Sequence, residues 1–150
     1  MRNFLILLLI AVSSVGCVST KNTIRNIDNN APVPRLDKND NFIVTDFSTD
    51  RKYGYDPDYP VNVFFRNTAN DSINQKRYLN ALAGPNGEKI FFRKVDTCCP
   101  FPSEHSVMGA GYLDIYEISW VGQKKPIRLY INIYEKGLLK VPMGMGLKPQ

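Results

Sequence analysis

The stretch Tyr112–Tyr134, YLDIYEISWVGQKKPIRLYINIY, decides the fold. Its second half alternates without a break: Ile127, Leu129, Ile131 and Ile133 take one face of an extended chain, and Arg128, Tyr130, Asn132 and Tyr134 take the other. A two-residue period of this kind marks a strand with one buried face. Tyr112–Trp120 is aromatic and β-branched, and Val121–Pro126 supplies the Gly, Lys and Pro of a connection, so the two halves form a hairpin. Setting Leu113 and Ile115 beside the isoleucine stripe places Tyr112, Tyr116, Trp120, Tyr130 and Tyr134 together on the opposite face, with Arg128 and Asn132 among the rings. Such a platform is an expected binding surface for sugars or a peptide.

Working outward, Glu135-Lys136-Gly137 turns the chain into a last strand at Leu138–Val141. Upstream, Lys89–Val95 is a strand that follows the turn Pro85-Asn86-Gly87. Ser72 with Gln75 three residues on is a capping-box pattern, and Gly84-Pro85 is a stop signal. These bound a predicted helix over Ile73–Ala83 that turns Ile73, Leu79, Leu82 and Ala83 inward. Phe42–Phe47 and Val61–Phe65 are further strand candidates, separated by the Gly-, Pro- and Asp-rich aromatic loop Tyr53–Pro60. The expected class is α+β: a mostly antiparallel sheet of four to six strands with one helix packed on one face, built from residues 41–148.

Composition agrees with one domain of that size. The chain has 150 residues, 43% of them hydrophobic and 22% charged, which excludes a disordered or fibrous protein and leaves no room for a large catalytic barrel. Its formal net charge of +5 is spread out, since Arg51-Lys52, Lys76-Arg77, Arg93-Lys94 and Lys124-Lys125 fall in different elements. A nucleic-acid footprint would be clustered, so no nucleic-acid partner is expected. Weak attraction to anionic headgroups or envelope polymers fits this charge better.

The N-terminus carries the localisation. Residues 1–17 read MRNFLILLLIAVSSVGC: one cation, Arg2, an apolar run from Phe4 to Val12, then small residues ending in Cys17. Nine apolar residues suit the core of an export signal and fall short of the ~20 that span a bilayer. Ser14-Val15-Gly16-Cys17 resembles a bacterial lipobox, with Ser14 where Leu is usual, and implies a signal peptide at 1–16 and acylation of Cys17. Two or three acyl chains hold a protein on a membrane durably. Val18 and Ser19 carry no acidic retention signal, which points to the outer membrane. Residues 17–40, rich in Asn, Asp, Lys and Pro, read as a lipidated start and flexible tether. The alternative is that Ile24, Ile27 or Val33 docks on the domain.

Chemistry-bearing residues are few, and none makes a catalytic signature. Cys98-Cys99-Pro100-Phe101 places two sulfurs side by side, as buried thiols or a disulfide, as a redox pair, or as half of a soft copper site completed by His105 and Met108. No cofactor is expected apart from that copper alternative, because the spacing lacks the C-x2-C pairing of structural metal sites. His105 is the lone histidine and reads as a loop residue. Asp114 and Glu117, three apart on a strand, point to opposite faces and cannot share a substrate. The expected function is therefore a non-enzymatic binding or structural module of the bacterial envelope, with an envelope protein or polymer as partner. A thiol or copper protein using Cys98-Cys99 is the first alternative and a small envelope hydrolase the second.

Tyr53-Gly54-Tyr55, Tyr78-Leu79-Asn80-Ala81-Leu82, Gly84-Pro85-Asn86-Gly87-Glu88, Cys98-Cys99-Pro100-Phe101 and Leu113-Asp114-Ile115-Tyr116-Glu117 together resemble a small family of short exported bacterial lipoproteins of uncharacterised function. The resemblance spans about Tyr53 to Met143 and implies a domain boundary without implying catalytic residues. Members are sometimes labelled as a deoxy-octulosonate-phosphate aldolase. That activity belongs to a full barrel of roughly 250 residues, well beyond this chain.

Overall fold

The computed structural model describes residues 22–64 and 72–149. The expected signal peptide at 1–16, Cys17 and Phe65 lie outside them. In chain order the elements are β1 (Asp46–Phe47), β2 (Val61–Asn62), α1 (Ile73–Ala81), β3 (Leu82–Ala83), β4 (Ile90–Pro102), β5 (Ala110–Trp120), β6 (Ile127–Asn132), β7 (Lys140–Val141) and β8 (Gly146–Leu147). The class is the expected α+β. The main sheet has four strands in the order β2-β6-β5-β4, with both hairpin pairings antiparallel and β2 parallel to β6. Two-stranded ribbons, β1 with β7 and β3 with β8, close the molecule around it.

The register between β5 and β6 differs from the expected one by one residue. Tyr116 stands opposite Leu129 and Ile118 opposite Ile127, whereas Leu113 and Ile115 stand opposite Asn132 and Tyr130. Because side chains alternate, this shift moves the whole of β5 to the other face. The isoleucine stripe of β6 therefore shares its face with Tyr116, Ile118 and Trp120. On that face lies α1, and Val61, Val63, Tyr78, Leu79, Leu82, Ile118, Leu129 and Ile131 form a core with no solvent exposure.

The helix differs from its expected form at both ends. Ser72 makes no side-chain cap bond, and Gln75 is 1% exposed, turned inward instead of back toward the cap. Its Nε2 donates to Asp114 Oδ2 at 2.7 Å and its Oε1 accepts from the Tyr116 hydroxyl at 2.8 Å. Asn74 Nδ2 donates to the Val63 carbonyl at 3.0 Å. The helix is thus fastened to the sheet by polar bonds as well as by Tyr78 and Leu79. Leu82 and Ala83, expected in the last helical turn, are extended and pair with Leu147 and Gly146.

The rear face of the sheet is also covered. Residues 22–31 cross it, with Ile24 buried against Phe101 and Leu113 and with Ile27 packed beside them. Backbone bonds from Arg25 N–H to the Asp58 carbonyl and from Asp28 N–H to the Lys136 carbonyl, both 2.8 Å, hold this strap down. Asn62 Nδ2 donates to the carbonyl and Oδ1 of Asn26, and Asn132 Nδ2 donates to Asn62 Oδ1 at 2.9 Å. Gly137 is needed where the strap passes, since a Cβ there would come within 2.8 Å of the Asn26 carbonyl oxygen. From Asn22 onward the chain is therefore no tether, and Ile24 docks as in the alternative reading. Val33 does not dock; it is 70% exposed.

Candidate functional site

β4 extends well past its expected end at Val95, and this extension builds the candidate site. Ladder shifts between Lys94 and Asp96 and between Cys98 and Phe101 mark two β-bulges. An edge strand tolerates Pro100, which has no N–H to offer, and its bulges and charges protect it from pairing with other chains. The second bulge swings Phe101 onto the rear face, where it is 2% exposed and meets Tyr134 edge-on at 6.2 Å. Gly111 lies beneath these two rings; a Cβ there would sit 2.6 Å from Phe101 and 2.7 Å from Tyr134.

Cys98 and Cys99 occupy this bulge and are joined by a disulfide, their Cα atoms 3.7 Å apart. Cys99 has φ +59°, a left-handed conformation that side chains resist. The pair is half-buried beside Ile24, Phe101 and Leu113. Each sulfur is thereby bonded to the other, and a disulfide offers no thiolate to a metal.

Beyond the bulge, β4 and β5 are joined by a hairpin loop at 103–109. Ser103 N–H bonds to the Gly109 carbonyl at 3.1 Å, Gly109 N–H to the Ser106 carbonyl at 3.0 Å, and Met108 N–H to Ser106 Oγ at 3.3 Å. The loop is seated on Glu135, a carboxylate only 5% exposed. Ser103 Oγ donates to Glu135 Oε1 at 2.6 Å, and His105 Nδ1 lies 3.2 Å from Oε2. The carboxylate thus takes a hydroxyl on one oxygen and faces the imidazole with the other. The ring of Phe64 lies 4.9 Å from that of His105. Ser103, His105 and Glu135 line a cleft of about 440 Å³ together with Asn22, Ile27 and Gly109.

The serine, the histidine and a carboxylate are thus brought together, but not in the order of a hydrolytic relay. A relay needs the serine hydroxyl to pass its proton to the imidazole, which the carboxylate orients from behind. Here the serine hydroxyl and His105 Nδ1 both sit on the carboxylate, and the only bond from His105 to Ser103 Oγ is from its backbone N–H, at 3.2 Å. Met108 does not join Cys98, Cys99 and His105; its side chain is 90% exposed at the loop tip. Among the described residues, no three His, Cys, Asp or Glu side chains are grouped to hold a metal ion.

The expected aromatic platform is divided by the register. Tyr116 is buried, with its hydroxyl on Gln75, and Trp120 packs on the main core. Arg128 and Tyr130 face the rear, opposite Glu117 and Ile115, and Tyr134 packs on Phe101. Of the rings, Tyr112 alone is exposed, and with Tyr134 it lines a second cleft, of about 420 Å³, floored by Asp114 and Gln75. Asp114 is bound on several sides there, by Gln75, by Thr97 Oγ1 at 3.1 Å and by Lys94 Nζ at 2.6 Å. Burial, with the Asp114 charge adding to it, pushes the Tyr116 phenol pKa up. As expected, Asp114 and Glu117 lie on opposite faces, the latter paired to Arg93 at 2.6 Å.

Sequence reasoning missed Glu135, Ser103 and Gln75 as site residues. Glu135 lies just beyond the alternating run, in a segment that reads as a turn, and only the loop folding back from Ser103 gives it a role. In comparisons with family models, with curated proteins and with solved structures, nothing matches this chain.

Proposed function

We propose that this protein is a lipoprotein of the bacterial envelope, exported, cut before Cys17 and held by acyl chains on that residue, with the outer membrane favoured over the inner. Its α+β domain is a non-enzymatic module that binds an envelope protein or polymer. The observation that carries the reading is the segment MRNFLILLLIAVSSVGC, an export signal that ends on a cysteine. The domain's chemistry supports the second half of the reading. Among the described residues, the buried side chains Glu135, Ser103 and Gln75 are paired with one another or with neighbours, and the Ser103 hydroxyl is given to Glu135 and not to a base that would activate it.

The test is the intact mass of protein extracted from membranes, beside a Cys17→Ala form. A chain that starts at Cys17 and carries acyl mass, lost together with membrane association in Cys17→Ala, is the expected result. An unacylated chain in the soluble fraction overturns it. The thiol alternative is read in the same sample: two free thiols or stoichiometric copper would move the function to Cys98-Cys99.

A further inference from the structure

We propose that the β4–β5 hairpin tip, Val107 and Met108, is a membrane-contacting element that rests in the bilayer to which Cys17 is anchored. The inference rests on the lipid-anchored reading above and adds an orientation for the domain and a second contact with lipid. Three observations carry it. Val107 and Met108 are adjacent and the most exposed large apolar residues among those described, at 106% and 90%. Isolated exposed apolar residues are ordinary, but a contiguous pair at the apex of a projecting hairpin is apolar surface held away from any part of the fold that could cover it.

The support beneath the pair is firm. The loop is closed on itself by the Ser103–Gly109 and Gly109–Ser106 backbone bonds and seated through Ser103 and His105 on buried Glu135. A loop already ordered loses little conformational freedom when its tip meets another phase.

The path of the chain then names the occupant. Asn22 lines the same cleft as Pro102, Glu104, His105 and Gly109. From there Cys17 is five residues away, a reach of at most about 17 Å. The acyl chains on Cys17 must therefore enter the bilayer close to the hairpin, and the surface nearest the tip is the lipid interface. A Met and a Val side chain buried there remove apolar area from water, the term that drives interfacial insertion. Glu104 on the same loop disfavours a strongly anionic headgroup layer, so the contact is with acyl chains instead of charge.

Full-length acylated protein is reconstituted into phosphatidylcholine vesicles carrying bromine-labelled acyl chains, and tryptophan emission is read for Met108→Trp against wild type. Trp120, at the far end of β5 about 30 Å from the tip, is the internal control. The expected result is a blue-shifted Met108→Trp emission strongly quenched by the labelled lipid, with Trp120 unaffected and circular dichroism unchanged. A Met108→Trp emission quenched no more than that of Trp120, in protein whose mass shows acylation, overturns the hairpin contact and leaves the anchor standing. A chain without acyl mass that stays off the vesicles overturns both. A shift that needs no vesicles and grows with protein concentration overturns the lipid contact by assigning the tip to a second copy. Val107→Ser with Met108→Ser, which keeps the loop length, is expected to abolish any protection of the loop from proteases by vesicles; retained protection also overturns the proposal.

Discussion

Cys99 stands at φ +59°, a conformation open to glycine and unfavourable for a side chain with a Cβ. The disulfide to Cys98 closes a ring between sequence neighbours, so it removes little entropy from the unfolded chain, in contrast to a bond that closes a long loop. The backbone, more than the cross-link, then sets the energetics of this bulge. Cys98→Ala with Cys99→Gly is expected to be more stable than Cys98→Ala with Cys99→Ala by about 1 kcal/mol, as read from urea denaturation midpoints. The reverse order would mean that the bulge rearranges without the disulfide. Glu135 makes the opposite kind of site, a buried charge held by its donors. Ser103→Ala removes one donor and leaves the carboxylate partly unsatisfied, at an expected cost of about 1–3 kcal/mol by the same measurement. The oddity of Cys98-Cys99 was legible in the sequence. Its position in a strand was not, because Pro100 argues locally against a strand and only the edge placement and the bulge make room for it.

At the scale of elements, the alternation of Ile127, Leu129, Ile131 and Ile133 was readable and correct. The register of its partner was not, and β5 explains why. Leu113 and Ile115 belong to one face of that strand and Tyr116 and Ile118 to the other, and both faces are buried: one by α1 and one by the strap of residues 22–31. A strand covered on both sides has no polar face to reveal its phase. The same unseen cover explains the lost platform, since Tyr116 and Tyr130 each pack under an element whose docking leaves little trace in its own composition. Asn26, Asn62 and Asn132, which bond the strap to the parallel β2–β6 pair, read individually as loop or surface residues. If the strap is part of the domain, Ile24→Ala opens a cavity over Leu113 and Phe101 and is expected to cost about 2–3 kcal/mol, with an unchanged denaturant slope. A tether would predict no change, so an unaltered midpoint would return residues 22–31 to that role.

For the whole molecule, closure depends on tyrosines that grip the C-terminal segment. The Tyr78 hydroxyl donates to the Lys140 carbonyl at 2.7 Å and the Tyr55 hydroxyl to that of Met143 at 2.7 Å. Tyr53 donates to the Leu138 carbonyl at 3.2 Å while accepting from Lys140 N–H at 3.0 Å. With the pairing of β7 to β1 and of β8 to β3, these bonds hold the C-terminal segment on the domain. Burial raises all three phenol pKa values above the ordinary value of 10: Tyr55 to about 12, Tyr53 higher, and Tyr78 well above, with Tyr53 and Tyr55 adding repulsion. The folded state thus keeps these protons where the unfolded chain has given its own up. Above pH ~10 the unfolded state binds fewer protons than the folded one, so stability falls as pH rises, and the full contribution is present only below that point. The expected outcome is a cooperative alkaline unfolding above pH ~10, in which circular dichroism is lost together with a late step in tyrosinate absorbance. Tyr78→Phe, which deletes a donor but keeps the ring, lowers stability at neutral pH by about 1–2 kcal/mol and makes the alkaline transition less steep. If every tyrosine ionised in one step near pH 10 with the dichroism unchanged, the phenols would be open to water and the C-terminal segment would be held by its strand pairings alone.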